Sequence, residues 1–250
     1  MAIIQMLDGR KDEAGQERIA FKGGAALELR FGLRARASKD LDGAYRGEVT
    51  EAIGLIEGRV HDGWSGFTGR TTEGEPIAGT GLVPPPIRFQ VKLLYKGKDF
   101  VTIPMELSPA EGHSIDQVEL LPAAVSLKPV QLAEAEAIPF LLIRFQVAQR
   151  LHACTEDTGD ERSNQRARDL VDILLIEELA LDDDQMPAAR QACIETFELR
   201  GKHPWPPTVI AWPDWEAIWA RLTQTERLDY SVTEAVIRVQ NLVDRIASSG

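Results

Sequence analysis

The chain has 250 residues, 44% hydrophobic and 27% charged, enough apolar material for one large or two small domains with a genuine core, which excludes a disordered chain. Its net charge of −11 excludes wholesale electrostatic wrapping of nucleic acid, whose affinity rests on neutralising phosphates, so any such contact has to be local. No apolar run approaches the roughly 18 residues that a membrane span needs, and the polar start MAIIQMLDGRKDEAGQER is unlike a signal peptide, so a soluble, cytoplasmic protein is expected. The two cysteines, Cys154 and Cys193, make neither a disulfide framework nor a four-cysteine zinc site and are expected as buried free thiols.

Residues 24–33 (GAALELRFGL) place Ala25, Leu29 and Gly32 on one side and predict a helix that starts at the Gly23-Gly24 turn. A strand is expected over about 36–45, then a helix over 48–59 from the spacing of Val49, Ile53 and Ile56, with Gly58 as its stop. The next 25 residues, rich in Gly and Thr, read as loop or short strands. IRFQVKLLY and FVTIPMEL flank the short connection KGKD with alternating apolar positions, the pattern of a β-hairpin. After the Pro-containing stretch 104–129 the pattern turns helical: LAEAEAIPFLLIRFQVAQRLHAC, SNQRARDLVDILLIEELAL and MPAARQACIETFELRG. HPWPPTVIAWPDW reads as a structured connection, and 214–247 as one or two closing helices. The tryptophans at 205, 212, 215 and 219 are expected as packing anchors. The fold class is therefore α+β, with a mixed or antiparallel sheet in a first domain over 1–130 and a helical domain over 131–250.

On a strand over 36–45, side chains alternate, so Arg36, Ser38, Asp40 and Asp42 share one face. Two carboxylates held that close repel unless a cation sits between them, and oxygen ligands suit Mg²⁺ or Mn²⁺. An exposed pair of acids on an edge strand is the plain alternative. Gly23 and Gly24 sharpen the first reading, because glycines let a backbone approach a phosphate and a helix N-terminus supplies free N–H groups to hold it. A two-metal transfer site wants a third carboxylate, and Glu106 in TIPMELSP supplies one on a strand; Asp99 competes from the KGKD turn. Basic residues gather in two clusters, Arg30, Arg34, Arg36, Lys39 and Arg46, and Arg144, Arg150, Arg162, Arg166 and Arg168. Solvated faces are the plain account of both. Arg168 and Asp172, four apart, read as a surface pair. His152 reads as a partly buried helix residue, since no second His or Cys stands at metal spacing, and His61, His113 and His203 form no pattern.

KGGAALELRFGLRARASKDLD resembles the first motif of the AbiEii/AbiGii abortive-infection toxins, members of the DNA polymerase β-like nucleotidyltransferase superfamily: Gly-Gly or Gly-Ser, a short helix, Arg-x-Thr/Ser, and Asp-x-Asp. VAQRLHAC followed by RARDLVDILLI is similar to the family's second block, a Lys-Leu-x-Ala helix and then an Arg/Lys-Asp-Leu-x-Asp helix. The resemblance implies that Gly23 and Gly24 hold phosphates, that Ser38 contacts phosphate or sugar, and that Asp40, Asp42 and Glu106 bind the metal. It further implies that Arg36 is the basic residue ahead of the acids, and that Arg150, Asp169 and Asp172 complete the nucleotide pocket from the helical half. Three departures stand out. Arg150 replaces the usual Lys with a planar fork in place of a compact ammonium, Glu106 replaces the usual Asp, and about twenty residues precede the Gly-Gly where relatives carry helices.

The resemblance thus implies a Mg²⁺- or Mn²⁺-dependent nucleotidyltransferase, the toxin of a type IV-like toxin–antitoxin pair, which moves a nucleotide from an NTP to an acceptor hydroxyl such as a tRNA 3′ end. A cognate antitoxin protein is the expected partner, and no membrane is involved. Two alternatives stay open: an enzyme that nucleotidylates a protein hydroxyl, and a catalytically silent NTP-binding protein of the same fold.

Overall fold

The computed structural model describes residues 1–7, 11–80, 82–133, 137–159, 164–226 and 228–250, which divide into two compact units, Met1–Leu142 and Ile143–Gly250. In chain order the first unit carries α1 (Ala2–Met6), β1 (Ile19–Lys22), α2 (Gly23–Phe31), β2 (Leu41–Tyr45), α3 (Val49–Asp62), β3 (Phe67–Thr71), β4 (Glu75–Pro76), β5 (Ile87–Tyr95), β6 (Lys98–Pro109), β7 (Val118–Leu121) and β8 (Ile138–Leu141). These strands form one mixed sheet in the order β3-β5-β6-β2-β1-β8-β7, with β4 beside β5. The β2–β6 and β1–β8 pairs are parallel and the others antiparallel. Phe21, Leu41, Phe89, Val91, Leu93, Met105 and Leu107 turn one face of the sheet into a core shared with Ala52, Ile56 and Val60 of α3. The period-2 alternation of these strands follows from that one covered face.

The β5–β6 hairpin closes through Lys96 and Gly97, both at positive φ (49° and 76°), the two-residue turn whose twist matches its strands. Asp99 consequently belongs to β6 and not to the turn, opposite Leu94 at a register shift. α3 runs through Gly58 and ends at Gly63, whose φ of +79° and N–H bond to Arg59 O make the stop that Gly58 was expected to supply. A Cβ on Gly58 would meet nothing within 4 Å. Gly58→Ala is therefore expected to stabilise the protein by about 0.5–1 kcal/mol, read as a rise in thermal midpoint.

The stretch expected as one long helix from Leu132 divides differently. Residues 134–136 lie outside the described residues, Ile138–Leu141 is strand β8, and the helix begins at Ile143. Pro139 explains the strand, since the residue before a proline is pushed out of the helical region. The first unit accordingly extends to Leu142, past residue 130.

The second unit is all helical: α4 (Ile143–Thr155), α5 (Ala167–Ala180), α6 (Met186–Arg200), α7 (Trp215–Glu226) and α8 (Val232–Ser248). Trp215 and Trp219 are buried and donate through Nε1 to Asn164 O (2.6 Å) and Tyr230 O (3.0 Å), which fixes the connection to the bundle. α8 starts with a reciprocal cap: Ser231 Oγ accepts from Glu234 N, and Ser231 N donates to the Glu234 carboxylate. Ser231→Ala should cost about 1 kcal/mol of stability, measurable by denaturant unfolding. Both cysteines are buried, and desolvation pushes their thiols well above the ordinary range. Among the described residues, no helix is long and apolar enough to cross a membrane.

Candidate active site

β1 passes into α2 without a loop: Lys22 is extended, and Gly23 opens the helix at φ +75°. A Cβ on Gly23 would lie 2.0 Å from Asp42 Oδ2, so only glycine allows that carboxylate to rest against the helix start. A Cβ on Gly24 would lie 2.9 Å from Ser38 Oγ and 3.0 Å from Arg36 Nη2. The first turn of α2, whose N–H groups have no partner inside the helix, is thus ringed by Asp42, Ser38 and Arg36.

The acids reach this place by a different route from the one expected. β2 begins at Leu41, not near 36, so Arg36, Ser38 and Asp40 sit on an irregular segment ahead of the strand and do not alternate along it. The segment is held by side chains. Ser38 N donates to Glu28 Oε2 (2.8 Å), and Ser38 Oγ donates to Asp40 Oδ1 (2.9 Å). Glu28 went unassigned from sequence, although its i,i+4 spacing from Gly24 puts both on the helix face that meets this segment.

Parallel pairing of β2 with β6 makes Glu106 the register partner of Asp42. The two side chains project from neighbouring strands on the sheet face opposite the core. Asp99 lies seven residues away along β6, about 23 Å at ~3.3 Å per residue, and is not part of this group. On the other side of Asp42, its partner on β1 is Lys22, whose Nζ donates to Ser108 Oγ (2.7 Å) and lies 4.0 Å from the buried Glu111 carboxylate. Lys22 was also missed; its signal is its position at the strand end directly before the glycines. Asp40, Asp42 and Glu106 are hard oxygen donors, the kind that Mg²⁺ and Mn²⁺ take. Among the described residues no three acidic, His or Cys side chains already converge as a metal cage: Asp40 is turned to Ser38, and Glu106 to Arg88.

The second unit gathers the helical candidates separately. Arg150 Nη2 on α4 lies 3.0 Å from Asp172 Oδ2 on α5, with side chains 11% and 2% exposed. Asp172 therefore pairs inward with Arg150, and the expected surface pair with Arg168, which is exposed, is replaced by a buried one. Asp169 is also buried, in the first turn of α5. Arg150 Nε is buried and has no hydrogen-bond acceptor among the described residues. The ring of buried His152 lies 4.5 Å from that of His203 and tilted 46° to it, and His203 Nε2 is 2.8 Å from Thr155 Oγ1; burial lowers the His203 pKa.

The arginine clusters disperse. Arg30 pairs with Glu119 and Arg46 with Asp116 (3.2 Å), both tying elements of the first unit together. Arg36 lies at Gly24, while Arg34 and Lys39 are exposed. In the second cluster Arg144 sits over the Phe145 ring, Arg166 and Arg168 are exposed, and Arg162 lies outside the described residues.

The start of α2 thus rests on one carboxylate, Asp42, with a second acid, Glu106, beside it on the next strand. A family model described as nucleotidyl transferase AbiEii toxin, type IV TA system, matches residues 5–237. The chain belongs to this family of nucleotidyltransferase toxins. Its fold is similar to that of MenT4, a nucleotidyltransferase toxin of Mycobacterium tuberculosis, at TM-score 0.52 and 17% identity, covering 98% of this chain and 90% of that one. JHP933 of Helicobacter pylori is similar at TM-score 0.51 and 16% identity, over 98% and 87% of the two chains. No curated protein sequence matches the chain significantly.

Proposed function

We propose that the protein is a metal-dependent nucleotidyltransferase that moves a nucleotide from an NTP to an acceptor hydroxyl, as the toxin of a pair whose antitoxin is a separate protein. The observation that carries this reading is the placement of Asp42 between the start of α2 and Glu106 on β6. Asp40, Asp42 and Glu106 would hold Mg²⁺ or Mn²⁺, which when bound neutralises the triphosphate and acidifies the acceptor hydroxyl.

The protein's own residues do the positioning. The N–H groups of the first turn of α2 at Gly23 and Gly24, with Arg36 and Ser38, bind and orient phosphate oxygens. In the second unit Arg150, held by Asp172, with Asp169 near the start of α5, is the anion-binding group that this reading assigns to the helical half. The acceptor oxygen then forms its bond to the α-phosphorus as the bond to the leaving pyrophosphate oxygen breaks, and rate comes mainly from alignment and charge stabilisation.

We take the acceptor to be RNA, a tRNA 3′ end being the simplest case, because Arg34 and Lys39 are exposed near Asp40 in an otherwise acidic chain. The test is incubation of the wild type and Asp40→Ala with Mg²⁺, each α-³²P-labelled NTP and total bacterial RNA, resolved on a denaturing gel. Ribonuclease-sensitive label from the wild type alone is expected. Label that survives ribonuclease and disappears with protease would move the acceptor to a protein hydroxyl, and no label from folded protein would leave a silent NTP-binding protein.

A further inference from the structure

Four adjacent strands carry one row of register partners: Lys22 on β1, Asp42 on β2, Glu106 on β6 and Arg88 on β5. Register partners project on the same face, so the row reads cation, acid, acid, cation across these four strands, and Glu75 on β4 follows as the register partner of Arg88 on its other side. Lys22 is committed to Ser108 and the buried Glu111. Arg88 differs. Its Nη2 donates to Glu106 Oε2 at 3.1 Å, and its side chain is 63% exposed against 33% for Glu106. The guanidinium approaches the acid from solvent and can leave without disturbing the core.

We propose that Arg88 is the resident counter-ion of Glu106, which a divalent cation has to displace in order to bind. The inference rests on the reading of Glu106 as a metal ligand. Two neighbouring carboxylates repel, and a cation on one of them lowers that cost before metal arrives. The same cation then competes with the metal for the same oxygen. An exposed ion pair is weak, so the competition raises the metal concentration needed for occupancy without preventing it. The device makes the acid pair tolerable in the metal-free protein and easy to release.

The experiment is Mn²⁺ binding to the full chain without nucleotide, measured from the paramagnetic resonance signal of free Mn²⁺, for wild type, Arg88→Gln, Glu106→Gln and the double variant. Arg88→Gln is expected to tighten Mn²⁺ binding about three-fold, the scale of an exposed pair lost as a competitor. Glu106→Gln should weaken it, and adding Arg88→Gln to Glu106→Gln should change nothing further. Unchanged or weaker binding in Arg88→Gln, with Glu106→Gln still weakening it, overturns the role of Arg88. Equal tightening in both backgrounds also overturns it, by reducing Arg88 to a general surface charge. If Glu106→Gln leaves Mn²⁺ affinity as it was, the metal-ligand reading itself fails, and the proposal with it.

Discussion

Asp42→Asn is expected to abolish nucleotide transfer, by about three orders of magnitude or more, while leaving the thermal midpoint unchanged or higher. The two halves of this result have one cause. Asp42 rests against the start of α2 between Lys22 and Glu106, where repulsion from Glu106 offsets the attraction of the helix N-terminus and Lys22, and its charge is left to serve the cation. Asparagine keeps the shape and removes the charge. Metal-borne charge stabilisation of several kcal/mol disappears, and each ~1.4 kcal/mol is a factor of ten in rate. Initial rates of label transfer alongside a calorimetric melt check it. A variant that loses stability along with activity would mean that Asp42 is a structural acid capping the helix.

The second large effect falls on a residue with no side chain. Gly23→Ala should reduce transfer about 100-fold or more, because a methyl group 2.0 Å from Asp42 Oδ2 cannot be accommodated without moving the carboxylate or the helix start. Displacement of a reacting group by about 1 Å costs rate on that scale. The positive φ of Gly23 adds a backbone penalty of about 1 kcal/mol, so a lowered thermal midpoint accompanies the loss. Gly24→Ala provides the contrast. Its Cβ would meet the flexible ends of Ser38 and Arg36 at 2.9 and 3.0 Å, which can give way, so the loss should be several-fold smaller. Equal tolerance at both glycines would show that the close approach to Asp42 is not needed for activity.

Much of the frame was legible because it depends on local periodicity. The helix at Gly23-Gly24, the β5–β6 hairpin and the late helices follow from spacing that one covered face imposes. Boundaries were less so. β2 starts at Leu41 because Ser38 is drawn to Glu28, a tertiary contact without local signature. Gly58 does not end α3, since an exposed helical glycine costs only about 1 kcal/mol, which packing of Ala52, Ile56 and Val60 outweighs. β8 was hidden inside an apolar run, with Pro139 as the overlooked sign.

The candidate site divides along the same line. Gly23, Gly24, Asp40 and Asp42 could be named because they crowd into one short stretch, and Glu106 because it is an acid on an apolar strand. Lys22, Glu28 and Arg88 could not, since strand register and helix-to-loop contacts decide who their neighbours are. For Asp172 the i,i+4 spacing offered a surface pair with Arg168 beside the pocket role that the resemblance implies, and packing of α4 on α5 turns it inward to Arg150 instead of to Arg168.

The most direct test of the central claim is pyrophosphate release by the wild-type protein with each of the four NTPs and total RNA, first with Mg²⁺ and then with excess EDTA. The account predicts release that requires RNA, favours a subset of the NTPs and stops when EDTA removes the metal. Release that persists in EDTA, or none with any NTP from protein shown to be folded, would contradict it.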